Sequence, residues 1–257
     1  MTRIDDIAAI MESIAPAALA AEWDNCGTQL DAGNADIKKA LVALEISGGV
    51  VAEAKAIAAD LIITHHPLIF GPLYNVDAKT AVGGYISELI KSGISVFSAH
   101  TNFDEADGGN NDYIAELLGL TNIEKFGGGA MGVTGELPGE MSFEYVCGYV
   151  KERLKLSYMK ASGESSEKIR KVGVCAGSGS DITPAAAAAG CGLFITGDIK
   201  YHDARYARET GLCLIDAGHY GTEKFFAENL SAKLDAAFGG RIEVVMSSVN
   251  LEPFYMV

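Results

Sequence analysis

Four of the chain's five histidines stand at the ends of apolar runs. His65 and His66 close the aliphatic part of "LIITHHPLIF", His100 closes "ISVFSAH" and His219 closes "LCLIDAGH". An acid follows two of them at the same interval, Asp104 in "HTNFD" and Glu223 in "HYGTE". On a helix that interval puts both side chains on one face, and on a strand-to-helix turn it lets both reach one cavity. Imidazoles with carboxylates are the donors of a divalent first-row metal: imidazole suits zinc, iron and nickel, and carboxylate suits manganese or magnesium and can bridge. These six donors exceed what one catalytic ion takes, since a catalytic zinc uses three and leaves a position for water. Two ions sharing Asp104 or Glu223 account for the surplus, and paired ions acidify a water and clamp a charged transition state, which is hydrolytic chemistry. The competing reading makes each strand-end histidine a hydrogen-bonded structural or capping residue, and it needs several coincidences at once.

The elements that must position these donors are those of an α/β protein. Apolar runs of strand length alternate with helical patterns, which implies largely buried strands. "ALVALEI", "DLIITHH" and "ISVFSAH" read as strands of the first half, with helices over "GGVVAEAKAIAA", "AVGGYISELIKSG" and "NNDYIAELLGL", the last capped by Asn110 or Asn111. The second half alternates "MSFEYVCGYVKERLKL" (helix), "KIRKVGVCAG" (strand), "DITPAAAAAG" (helix), "CGLFITGD" (strand), "YHDARYARETG" (helix), "LCLIDAGH" (strand) and "TEKFFAENLSAKLDAAF" (helix). "RIEVVMSS" closes the chain as an edge strand. Polar residues at the carboxyl ends of such strands converge on the ligand crevice. Adjacent strand residues face opposite ways, so His65 and His66 serve one site only if the strand has ended, which Pro67 encourages.

A weak internal echo joins the halves. "LIITHHP" before "GISVFSAHTNFDE" parallels "LFITGDIKYH" before "GLCLIDAGHYGTE". The expectation is two similar α/β domains around a shared metal-containing cleft. The glycine-rich "TNIEKFGGGAMGVTGELPGE" (121–140) reads as their junction, giving domains 1–125 and 126–257, with the last helix and edge strand packing back on the first.

With 34 acidic against 20 basic residues the net charge is −14, which disfavours nucleic acid and anionic membranes as partners. The five cysteines form no C-x-x-C pair and read as reduced thiols of a cytoplasmic protein. Cys26 in "WDNCG" is the one suspected of lining a site. The amino-terminal stretch carries Asp5, Asp6 and Glu12 where a secretory signal needs an unbroken apolar core, and its isoleucines follow helical spacing. No stretch approaches the roughly 18 apolar residues of a membrane span. "AGSGSD" (176–181) is read two ways, as backbone approaching a phosphate or as a tight turn capped by Ser180 or Asp181. Asp24 is read as an Asx turn or as a residue reaching a substrate or bound water. His202, with Lys200 in "GDIKYHD", supplies a proton or holds an anion in one reading and lies on a solvated helix face in the other.

The sequence resembles the Nif-three-like family, whose bacterial members are known as GTP cyclohydrolase 1 type 2 homologues. "AEWDNCG", "LIITHHPLIF", "SAHTNFDEADGGNND", "VCAGSGSD", "FITGDIKYHDA" and "IDAGHYGTEKF" fall in the family's order over nearly the whole chain. The resemblance implies two divalent ions per chain (zinc, iron, manganese or nickel) on His65, His66, Asp104, His219 and Glu223, with His100 and His202 lining the site. It also implies the short form of the chain and a toroidal homohexamer, a trimer of dimers. The activity implied is hydrolysis of a small molecule, ring-opening hydrolysis of GTP under the family label, with His100 or His202 moving a proton. A phosphoesterase or amidohydrolase, or a metal-binding regulatory protein without turnover, are the alternatives. Glu45, where the family usually has aspartate, and Thr28, after Gly27 where it usually has leucine, are expected to stay clear of the ligands.

Overall fold

The computed structural model describes residues 1–34, 36–127 and 131–256. Internal contacts divide the chain into two compact units. One is Met1–Asp107 with Phe225–Leu251, the other Gly108–Lys224 with the residues from Glu252. Elements are numbered along the chain.

The first unit is built on a five-stranded sheet of β1 (Gly27–Leu30), β2 (Lys39–Ala43), β3 (Leu61–Thr64), β4 (Ser95–Ser98) and β11 (Glu243–Met246). Their spatial order is β1-β4-β3-β2-β11. Only β1 is antiparallel to its neighbour. Leu41, Val42, Ile62, Ile63 and Val96 are buried, as strands covered on both faces require, so these segments read as unbroken apolar runs. The helices of this unit are α1 (Ile4–Ile14), α2 (Gly48–Ala56), α3 (Ala81–Ser92), α4 (Thr101–Glu105) and α10 (Phe226–Phe238). Ser47 caps α2 and Thr80 caps α3, each accepting a backbone N–H of the first turn. Val50, Val51 and Ala54 of α2 and Ile86 and Leu89 of α3 pack into one core with Leu41, Ile62 and Val96. The register is what matters for function. Ala43 lies opposite Thr64, and Thr64 opposite Ser98. Three strands thus end level, and Glu45, His65, His66 and His100 follow at that one edge.

The second unit has a six-stranded sheet of β5 (Thr121–Phe126), β6 (Gly132–Ser142), β7 (Lys160–Ser162), β8 (Lys168–Val174), β9 (Leu193–Thr196) and β10 (Cys213–Asp216), ordered β5-β6-β8-β9-β10-β7. The central β8, β9 and β10 are parallel, β6 and β7 run against them, and β5 runs against β6. Its helices are α5 (Asn110–Leu117), α6 (Phe143–Arg153), α7 (Thr183–Ala188), α8 (Tyr201–Thr210) and α9 (His219–Glu223). Among the described residues no helix is long and apolar enough to cross a membrane.

Three local expectations are corrected. The stretch 121–140 is not a junction but the β5–β6 antiparallel pair inside the second sheet; its residues 128–130 lie outside those described. Glycine and turn residues mark hairpins as readily as linkers. The division between units falls earlier, after Asp107. Here Asn111 of α5 accepts from Ala176 N at 2.7 Å and donates to Met131 O at 3.1 Å, tying α5 to the second unit. Both asparagines lie inside α5, whose N-cap is Gly109. Finally, the helix expected over 222–238 is interrupted between α9 and α10.

The return of the chain to the first unit is fastened by Glu53 of α2. Its carboxylate accepts from Ser248 N at 2.9 Å and from the hydroxyls of Ser247 and Ser248. Burial opposes the charge, but these serine hydrogen bonds outweigh it and hold the carboxyl below its usual value. Glu53→Ala is expected to cost about 1–2 kcal/mol at neutral pH, read from urea denaturation. The folded-state value is depressed, so this stabilisation is present above the unfolded-state value and fades as pH falls through the folded one.

Candidate metal centre

In the first unit the double histidine is arranged by backbone geometry. The amides of His65 and His66 both donate to the carbonyl of Leu44, at 3.0 and 2.9 Å. Two successive amides cannot converge on one carbonyl in an extended strand, so β3 has ended and the two imidazoles no longer face opposite ways. Their ring centroids are 5.3 Å apart, and the His100 ring lies 5.0 Å from His65 and 5.5 Å from His66. One ring nitrogen from each of the three falls within 4.8 Å of the others, a group able to hold a metal ion.

Each of these rings has its Nδ1 committed. His65, fully buried against Phe226, donates to Ala99 O at 2.9 Å. A carbonyl only accepts, which fixes the proton on Nδ1 and leaves the lone pair on Nε2. His66 Nδ1 lies 3.3 Å from Glu45 Oε2, so Glu45 does touch the ligand set, contrary to expectation. His100 Nδ1 is 2.9 Å from Asp24 Oδ1. His65 Nε2 points toward Asp104 Oδ2 at 3.6 Å. Two donors that share an ion through bonds of about 2.1 Å lie about 3.0–3.4 Å apart, so this pair is near the required spacing.

Asp24 has its side chain wholly removed from solvent. It accepts from His100, from Thr101 N at 3.1 Å and Oγ1 at 2.5 Å, and from Cys26 Sγ at 3.0 Å. Burial works against its charge, yet hydrogen bonds from His100, Thr101 and Cys26 prevail and hold the carboxyl well below the usual carboxylate range. Cys26 is pushed up to about 11, by burial first and by Asp24 second. It is therefore a hydrogen-bond donor to Asp24 and not a nucleophile. None of the five cysteines is joined in a disulfide.

In the second unit the other pair is complete in itself. His219 Nε2 lies 2.9 Å from Glu223 Oε2 across one turn of α9, the spacing of two neighbouring ligands of one ion. His219 Nδ1 meets Asp198 Oδ2 at 2.8 Å. Asp198 adopts a left-handed φ of 53°, a conformation tolerated by aspartate better than by most residues and strained all the same. Asp198 did not stand out in the sequence and Glu45 did so only as a departure from the family, because a residue that positions an imidazole has no spacing rule of its own.

The "AGSGSD" loop serves this pair. A side chain at Gly177, whose φ is +63°, would collide with the Glu223 carboxylate and lie 3.4 Å from His219 Nε2. The amides of Gly177 and Gly179 are already given to Thr222 Oγ1 and Thr196 Oγ1, each at 2.9 Å. The glycines thus let backbone approach the donors and do not form a phosphate cradle. His202 sits exposed on α8 with its ring edge-on to Tyr201 at 5.4 Å, and Lys200 is exposed at that helix's N-cap.

The family model for Duf34/NIF3 (NGG1p interacting factor 3) matches residues 2–253. The chain belongs to the Duf34/NIF3 family. Within it, the chain is 33% identical over 263 residues to the GTP cyclohydrolase 1 type 2 homolog of Clostridium perfringens, covering 99% of this chain and 100% of that one. It is 35% identical over 228 residues to the GTP cyclohydrolase 1 type 2 of Helicobacter pylori, covering 88% and 89%. Among solved structures, a hypothetical protein of Staphylococcus aureus aligns with a TM-score of 0.92 at 28% identity over 99% of both chains. A Bacillus cereus protein related to NIF3 aligns at 0.93 with 25% identity, over 100% of this chain and 99% of that one. The Duf34/NIF3 fold is a two-domain α/β fold, as the two sheets here show.

Asp24→Asn tests the buried anchor. It should lower stability at neutral pH by about 1–3 kcal/mol, measured by urea denaturation. The wild-type advantage is present above the unfolded aspartate value of about 3.9 and is lost as pH falls toward the depressed folded value. The gap between the two proteins should therefore narrow below about pH 4, whereas a gap that stays constant with pH would contradict the assignment.

Proposed function

We propose that this member of the Duf34/NIF3 family is a metal-dependent hydrolase of a small molecule. Its two divalent ions, drawn from zinc, iron, manganese and nickel, are held by His65, His66, Asp104, His219 and Glu223. One repeated geometry supports the reading: His65, His66, His100 and His219 each engage Nδ1 with an oxygen at 2.8–3.3 Å, leaving Nε2 as the ligating or proton-carrying atom. Ions bound there supply acidification of water and screening of developing negative charge.

The chain's own residues handle the proton. His100 accepts it from the attacking water and returns it to the leaving group, and the buried Asp24 carboxylate stabilises the imidazolium between those events. His202, an exposed imidazole, is the second candidate for that exchange. The names of the relatives make GTP the first substrate to test. Attack of one water would fall on the imidazole carbon of guanine and open the ring to a formamide, and a second water would hydrolyse the formamide to release formate. We also propose a homohexamer, a trimer of dimers, residing in the cytoplasm, where the five cysteines, none in a disulfide, stay reduced.

Metal analysis of purified protein should find about two divalent ions per chain, and Glu223→Ala should lose most of them; metal absent from both proteins would contradict the centre. His100→Ala should retain the ions and lower turnover of GTP, or of the best substrate in a screen that includes phosphate esters and amides, by about a hundredfold or more. Undiminished turnover in that variant would remove His100 from the reaction.

A further inference from the structure

We propose that Trp23 and Phe70 form a subsite that receives a planar heteroaromatic ring of the substrate and holds it beside His100. This rests on the hydrolase reading for its location only. Trp23, the chain's single tryptophan, is 59% exposed, and Phe70 is 58% exposed. Burying such rings is strongly favourable, so two kept open side by side mark a surface made for contact. Their centroids are 5.9 Å apart at 40°, a tilt that leaves part of each face free. Both stand nearly edge-on to the same imidazole, Trp23 at 6.0 Å and 73°, Phe70 at 6.4 Å and 69° from His100.

The pair is also held in place. Asn25 Nδ2 donates to Ile69 O at 2.6 Å, Ile69 N donates to Gln29 Oε1 at 3.1 Å, and Gln29 Nε2 donates to Asn25 O at 2.6 Å. These bonds lace the segment carrying Trp23 to the segment carrying Phe70, so little ordering remains to be done on binding. They also commit the nearby amides to protein partners. The two rings therefore offer a ligand mainly ring face, which is indifferent to the identity of a heterocycle but demands that it be flat.

Trp23 is its own reporter, because no other tryptophan contributes to the emission. Metal-reconstituted protein is titrated with GMP, AMP and ribose 5-phosphate while tryptophan fluorescence is followed. Both purine nucleotides should quench saturably and ribose 5-phosphate should not. Phe70→Ala should weaken GMP about tenfold with metal content unchanged, and Phe70→Tyr should restore binding. No saturable quenching by either purine, equal quenching by ribose 5-phosphate, or unchanged binding in Phe70→Ala overturns the subsite. So does a concentration-dependent emission shift without nucleotide that Phe70→Ala removes, since the pair would then serve contact between copies. Failure of the hydrolase reading is separable: Phe70-dependent quenching in protein that binds no metal supports the subsite and ends that reading alone.

Discussion

The hydrogen bond from His65 Nδ1 to the carbonyl of Ala99 is the constraint on which the first donor cluster depends. It exists because β3 and β4 are parallel neighbours in register, so the residues just past Thr64 and Ser98 meet at the sheet edge. His65 is fully buried there, and an imidazole without a partner in that position would be costly. The bond removes that cost and fixes the tautomer in one step. His66 is then turned to the same side by sharing the Leu44 carbonyl with His65. His100 follows Ala99 directly, and Asp24 takes its Nδ1. One strand pairing thus orients three imidazoles.

The second unit solves a similar problem with similar parts. β9 and β10 are parallel and in register from Leu193 opposite Cys213 to Thr196 opposite Asp216, as β3 and β4 are from Leu61 opposite Ser95. A five-residue helix follows each later strand, α4 with Asp104 and α9 with Glu223. The detail diverges where local sterics differ. His219 is less buried than His65 and is held by a carboxylate instead of a carbonyl. Glu223 needs the empty side of Gly177 beside it.

Much of this was legible because strand ends and the helical turns after them obey strong local rules. An apolar run predicts a buried strand, its polar end predicts the functional edge, and the four-residue interval between histidine and acid predicts a turn of helix. Those rules located the two-sheet α/β fold and the six donors at its strand ends; His202 came from the family resemblance. They were silent on Glu45 and Asp198, which act through hydrogen bonds to residues distant in sequence. Composition misled at 121–140, because a glycine-rich hairpin and a linker use the same residues, and only the hydrogen bonds of Asn111 reveal to which unit α5 belongs. The glycines of "AGSGSD" carried two readings until the partners of their amides were known.

Outer hydrogen bonds set the tautomers of the imidazoles before any ion arrives. Long-range proton–nitrogen correlation NMR on metal-free protein reads the tautomer of each histidine directly. His65 should carry its proton on Nδ1, with Nε2 unprotonated. A proton on Nε2 of His65 would contradict it, because the Ala99 carbonyl would then have no donor and the first ligand would be facing the wrong way.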